Sequence, residues 1–168
     1  MLADFVSVRQ ARLRDAPALA AVFAESWMLA YRGIIPHGHL STMIARRGPA
    51  WWRESLKRPD GIIVLEAGGR TAGYATFGPA RQAGGRPRGE IYELYLSPQY
   101  QGMGLGERLF ESARQRLDTQ RLDGLVVWAL SENHSACDFY WRRGGRPIQR
   151  STERFGGKSL PKTGFGWE

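Results

Sequence analysis

The run Gln101-Gly102-Met103-Gly104-Leu105-Gly106 constrains this chain more than any other stretch. It separates a strand-like run, Ile91 to Leu96, from a run of helical periodicity that opens near Gly104. Three glycines in five residues at a strand-to-helix turn let backbone N–H groups converge with no Cβ in the way. The helix that follows adds unpaired N–H groups and the positive end of its dipole. Together these make a site for a phosphate or a pyrophosphate.

Three readings of the turn compete. A Walker-type loop needs a lysine and a Ser/Thr after its last glycine, but Glu107 and Arg108 stand there. A dinucleotide fold puts the turn after the first strand, with an acidic residue about 20 residues further on. Asp123 has that spacing, but it precedes a strand, and the turn comes late in the chain, after a strand meander.

The third reading rests on more than the turn. Gln101-x-x-Gly104-x-Gly106 resembles the (Gln/Arg)-x-x-Gly-x-(Gly/Ala) motif of the GCN5-related N-acetyltransferase (GNAT) family. Glu90-Ile91-Tyr92-Glu93-Leu94-Tyr95-Leu96-Ser97-Pro98 resembles that family's fourth strand and its exit. Asn133-x-x-Ala136-x-x-Phe139-Tyr140 resembles the segment that leads from its fifth strand into a helix. Ser26-Trp27 and Ala30-Tyr31-Arg32-Gly33-Ile34-Ile35-Pro36 resemble a common form of its first helices, and Gly144-Gly145 through Phe155-Gly156-Gly157-Lys158 its closing strands. The matches come in the family's order and span nearly the whole chain.

The local patterns give the same architecture. Val6 and Val8 alternate with polar neighbours as a first strand. Asp15 reads as an N-cap, with Pro17 in the first turn of a helix whose apolar face is Leu19, Val22, Phe23, Trp27 and Ala30. Gly33 and Pro36 end it, and Trp51 and Trp52 belong to a second helical region. Ile62 to Glu66 and Thr71 to Phe77 form a hairpin about Gly68-Gly69. Ala80 to Gly89 reads as a mobile loop, and Glu90 to Leu96 as a strand stopped by Pro98. A helix faced by Leu105, Leu109, Phe110, Ala113 and Leu117 follows, then a buried strand, Leu125 to Leu130. A short helix, Asn133 to Arg142, and a closing hairpin about Gly156-Gly157 complete the chain. The expectation is one mixed α/β domain over residues 1–168, a GNAT-like acyl-CoA N-acyltransferase fold of about seven strands with flanking helices.

Composition sets limits. No apolar run approaches the roughly 20 residues that span a bilayer, and Met1-Leu2-Ala3-Asp4 lacks the pattern of a signal peptide. A single cysteine, Cys137, excludes an internal disulfide and a Cys-rich metal site. The chain reads as cytoplasmic. Its net charge of +8 raises the question of nucleic acid. The arginines are scattered, with no basic stripe interleaved with aromatics, so the charge is better read as a surface that attracts a polyanionic cofactor.

The resemblance implies acetyl-coenzyme A as co-substrate, with no metal. Backbone amides from Gln101, Gly102, Met103, Gly104, Leu105 and Gly106, and that of Glu107, would cradle its pyrophosphate. The strand before the turn would part from its neighbour at a bulge and offer Leu94 and Leu96, with Tyr95 between them, as backbone partners for the pantetheine arm. On strict alternation Tyr92, Leu94 and Leu96 share one face, and Glu93 and Tyr95 the other. Asn133 would cap the last helix or bond the pantetheine. Tyr140 would protonate the departing thiolate. Glu93, with Glu90 second, would take the proton of the attacking amine, directly or through a water. Direct transfer leaves Cys137 no nucleophilic role.

The implied function is transfer of an acetyl group to a primary amine of a small molecule, an amino acid or a peptide N-terminus. The alternatives are a silent acyl-coenzyme A-binding regulatory module and a basic nucleic-acid-binding domain. The segments expected to line the acceptor cleft, Trp27 to His39, Ala80 to Gly89 and Arg154 to Lys162, carry aromatics and arginines and no acidic cluster. A homodimer through the closing strands is compatible with the pattern.

Overall fold

The computed structural model describes residues 5–82 and 85–168. The expectation made for Met1 to Asp4, and the middle of the Ala80 to Gly89 loop, lie outside them. Seven strands form one sheet: β1 (Val6–Gln10), β2 (Ile62–Ala67), β3 (Arg70–Pro79), β4 (Gly89–Leu96), β5 (Leu125–Leu130), β6 (Arg146–Phe155) and β7 (Lys158–Trp167). Five helices accompany them: α1 (Ala16–Tyr31), α2 (His37–Arg46), α3 (Pro49–Ser55), α4 (Leu105–Thr119) and α5 (His134–Arg142). The sheet order is β1-β2-β3-β4-β5-β7-β6, antiparallel except for the parallel pair β4–β5. That one parallel pair is reached through α4, the crossover a parallel connection requires.

Each face of the sheet buries its own layer. Leu105, Leu109, Phe110, Ala113 and Leu117, the apolar stripe of α4, pack with Tyr140 of α5 on Ile91, Val127 and Phe165. Leu19, Val22 and Phe23 of α1 and Trp52 of α3 pack on Val64 and Tyr74 from the other side. Trp51 does not share the core with Trp52; it is 41% exposed. The helical region before the sheet is thus two helices, α2 and α3, because Gly48-Pro49 interrupts it.

One further expectation is corrected, and the described ends of another segment are fixed by bonds. Asp15 stands at the N-cap of α1, but its own backbone is helical and its side chain makes no cap bond. Its carboxylate instead takes both terminal nitrogens of Arg9, each at 2.8 Å, and the Arg12 N–H at 2.7 Å. The Ala80 to Gly89 segment is tied at both ends. Ala80 N–H donates to Arg88 O at 2.8 Å, and Arg81 clamps the buried carboxylate of Glu90. That carboxylate is closed to a substrate.

The feature that positions the site is a wedge. β4 pairs with β5 only through Gly89, Glu90 and Ile91, opposite Leu125, Val126 and Val127. Beyond that point β4 continues on β3 alone, while β5 continues on β7. On the β3 side Thr76 opposes Glu93 and Phe77 opposes Ile91, so Tyr92 is the extra residue of a bulge. The bulge moves Tyr92 onto the same face as Glu93 and Tyr95, and strict alternation failed there for that reason.

Candidate active site

The turn after β4 has the conformation its glycines suggest. Gly102 and Gly104 sit at φ +81° and +77°, the left-handed region that only glycine enters without cost. Gly104 is the N-cap of α4, no side chain caps it, and the first backbone bond of the helix runs from Arg108 N–H to Gly104 O at 3.3 Å. The N–H groups of Leu105, Gly106 and Glu107 therefore have no acceptor within the helix. A Cβ on Gly106 would stand 3.1 Å from the Phe139 ring and 3.5 Å from Leu96, so glycine keeps the helix start close to both walls. The Gln101 amide is already used by Pro98 O at 3.3 Å. The cradle is thus narrower than the sequence suggested, beginning after Gln101.

A cleft of about 730 Å³ runs from this turn into the wedge. Leu94, Tyr95, Leu96, Gln101, Gly102, Gly104, Gly106, Glu107, Asn133 and Tyr140 all line it. Met103 and Leu105 contribute no side chain: Met103 is 44% exposed, and Leu105 is buried beneath the turn. Ser97 N–H bonds Ala72 O on β3 at 2.8 Å. Alternation then directs the polar groups of Leu94 and Leu96 away from β3, into the wedge. The Leu96 carbonyl receives the Ser26 hydroxyl at 3.2 Å and the Gln101 side-chain amide at 3.1 Å. Those bonds tie α1 and the turn to the strand end, which positions them for a bound chain.

Asn133 caps α5 by accepting the Ala136 N–H at 3.3 Å. Tyr140 lies one side of the cleft, its ring 5.3 Å from Phe139, 6.0 Å from Phe165, 6.1 Å from Trp167 and 6.3 Å from Phe110. Burial, reinforced by the nearby Tyr31 and Cys137, pushes its phenol above the ordinary tyrosine range. A phenol in that state holds its proton at neutral pH. Burial likewise raises the Cys137 thiol, which rests against the Leu130 carbonyl, so it is not an activated nucleophile.

Glu93 does not line this cleft. It faces a second cavity of about 540 Å³ on the far side of Tyr95, shared with Trp27, Tyr31, Trp51 and Trp128. Arg47 grips its carboxylate at 2.8 and 3.0 Å, and the hydroxyls of Tyr74 and Thr76 donate to it at 3.1 and 3.3 Å. Four donors on two oxygens fill the acceptor sites of a carboxylate. Tyr95 forms the partition between the two cavities, its hydroxyl 2.8 Å from that of Tyr31. Burial first, then neighbouring phenols and Glu93, hold the Tyr95 hydroxyl well above the ordinary range.

The expected acceptor segments meet here in part, through Trp27, Tyr31, Ile35, Arg81, Phe155 and Lys162, and Glu153, just before the last segment, joins them. His39 lies outside the cavity and packs edge-on against Phe155. Arg47, Trp51, Trp52 and Trp128 escaped sequence reasoning, as did Arg142 and Arg143 on the first cleft. The basic pairs Arg46-Arg47 and Arg142-Arg143 are visible in the sequence, but what they face is not. The grip of Arg47 on Glu93, across 46 residues, leaves no trace there.

The donor set fits an acyl-coenzyme A. The helix start offers unpaired N–H groups to a pyrophosphate, Arg142 and Arg143 stand beside it, and the wedge presents a strand edge to an extended arm. The family model described as "Acetyltransferase (GNAT) family" matches residues 22–144. An uncharacterized N-acetyltransferase, YuaI of Bacillus subtilis, is 30% identical over 164 residues, which is 96% of this chain and 92% of that one. The crystal structure of PaiA N-acetyltransferase from Thermoplasma acidophilum, in complex with coenzyme A, superposes with a TM-score of 0.75 at 17% identity, over 94% of this chain and 97% of that one. YncA, a putative acetyltransferase from Salmonella typhimurium with its cofactor acetyl-CoA, gives 0.68 at 22% identity, over 98% and 94%.

Proposed function

The chain belongs to the acetyltransferase (GNAT) family, and on that premise we propose that it moves an acetyl group from acetyl-coenzyme A to a primary amine by direct attack in a ternary complex. The observation that carries this reading is the pair of cavities on either side of Tyr95, one with the anion-binding helix start and one without it. A donor and an acceptor that meet at one wall need no covalent relay through the protein.

Bound acetyl-coenzyme A supplies a thioester, an acyl group already activated toward amines. The chain's own residues do the rest. Leu105, Gly106 and Glu107 hold the pyrophosphate through their N–H groups, and Leu94 and Leu96 hold the arm through the strand edge. Asn133 fixes the start of α5 and so the height of Tyr140 in the cleft. Tyr140 gives its proton to the leaving sulfur; burial, which holds the phenol above its ordinary range, works against that transfer, so it proceeds only as charge builds on the sulfur. Glu93 receives the proton of the amine through a water that takes the place of the Tyr74 or Thr76 hydroxyl on its carboxylate, while Arg47 keeps its grip. Tyr31 and Tyr95, hydrogen-bonded to each other, fix the boundary at which the amine and the thioester meet.

Free-thiol release on mixing the protein with acetyl-coenzyme A and a broad panel of amines tests the reading. Release that depends on both the donor and a particular amine supports it. Stabilisation by acetyl-coenzyme A without any release would make the chain a silent binding module.

A further inference from the structure

The second cavity carries information about the acceptor. Resting on the reading above, we propose that this cavity takes an aromatic α-amino acid, with its ring among the aromatic side chains and its carboxylate on Lys162.

The argument is a census of the wall. Three cations line it: Arg47, Arg81 and Lys162. Arg47 is committed to Glu93 at 2.8 and 3.0 Å, and Arg81 to Glu90 at 2.6 and 3.1 Å. Lys162 is different. The nearest carboxylate, that of Glu153, lies 4.0 Å away and is half exposed, while the Lys162 side chain is 22% exposed. Such a contact is weak and solvent-screened. The positive charge that a ligand can reach is therefore that of Lys162, and the inner carboxylate, Glu93, is already neutralised. The only carboxylate in the cavity without a close partner among the described residues is that of Glu153, which is half exposed at the rim and screened by water; Lys162 is the more enclosed charge, so an anionic group gains more there than a cationic one does at Glu153.

Shape supplies the aromatic part. Trp51, Trp128 and Tyr92 expose ring surface to the cavity, and the ammonium of Lys162 sits 5.0 Å over the Trp128 ring. Its volume of about 540 Å³ falls in the range of small-ligand pockets. Lys162 also stands opposite Leu130 at the end of β5. A carboxylate there leaves the adjacent amine free to face Tyr95 and the wedge.

The test compares L-phenylalanine and L-tryptophan with phenethylamine and tryptamine, which lack the carboxylate, with L-alanine, which lacks the ring, and with spermidine. Both aromatic amino acids should give kcat/KM at least tenfold above every other member. Lys162→Met should abolish the preference for phenylalanine over phenethylamine, and Lys162→Arg should keep it. Melting curves with acetyl-coenzyme A establish that each variant is folded and binds its donor. Calorimetric binding of L-phenylalanine to the coenzyme A complex provides a readout independent of turnover, and it should be at least tenfold weaker in Lys162→Met. A higher rate with spermidine or alanine, an undiminished preference in Lys162→Met, or no binding of phenylalanine to the coenzyme A complex would overturn the proposal. If another amine releases thiol under those conditions, the transferase reading stands and this one falls. If acetyl-coenzyme A neither binds nor reacts, both fall.

Discussion

Replacing Tyr140 with phenylalanine separates chemistry from folding. The ring is enclosed by Phe110, Phe139, Phe165 and Trp167, with centroids 5.3–6.3 Å away. Phenylalanine fills that space with the same rotamer, and deleting one hydroxyl from an aromatic surround changes stability by at most about 1 kcal/mol. For a chain of this size that is a shift of roughly 2–4 °C in melting temperature. The chemical cost should be far larger. A positioned general acid is worth roughly 10²–10⁴ in rate, and a 100-fold loss corresponds to about 2.7 kcal/mol of barrier. Steady-state thiol release should therefore show kcat down about 100-fold, with the dissociation constant for acetyl-coenzyme A within about twofold of wild type. An unchanged kcat would remove the acid role. A loss of donor affinity that matched the loss of rate would make Tyr140 a wall of the cleft and nothing more.

Three other expectations follow from the same contacts. Glu93→Gln should lower kcat/KM at least tenfold with acetyl-coenzyme A binding unchanged; an unchanged kcat/KM with a lower melting temperature would make the carboxylate only the anchor of Arg47. Gly104→Ala forces a side chain into the left-handed region at a cost of about 1–2 kcal/mol, so both the melting temperature and donor binding should fall. The phenols of Tyr74, Tyr95 and Tyr140 are held above the ordinary range chiefly by burial. Groups raised in the folded state contribute stability that is intact below their unfolded pKa of about 10 and is lost as pH rises above it. Melting temperature should accordingly show no tyrosine-linked loss from pH 7 to 9 and fall above about pH 10, together with tyrosinate absorbance. Tyrosinate absorbance in fully folded protein at pH 10 that is lost in Tyr74→Phe, Tyr95→Phe or Tyr140→Phe would contradict the burial assigned to these rings.

Much of this architecture was legible because its signals are local. The α4 stripe from Leu105 to Leu117 and the glycine turn before it need only neighbours in sequence to be read. The face of Tyr92 was misread because a bulge is set by the partner strand: Thr76 and Phe77 skip one residue of β4, and no pattern within β4 records it. Asp15 was misread for a similar reason, since Arg9 competes for the carboxylate that would otherwise cap α1. The acceptor cavity was only half visible. Arg47, Trp51 and Trp128 come from three separate elements, and only the folded chain places them around Glu93. The donor cleft was easier, because its chemistry belongs to backbone groups whose positions the glycines already announce.

The most direct measurement is amide NMR of the nitrogen-labelled protein titrated with coenzyme A. The N–H resonances of Leu105, Gly106 and Glu107 should move furthest, downfield, as the start of α4 closes on the pyrophosphate. If those three stay in place while coenzyme A binds, the anion lies elsewhere and the site described for the donor is wrong.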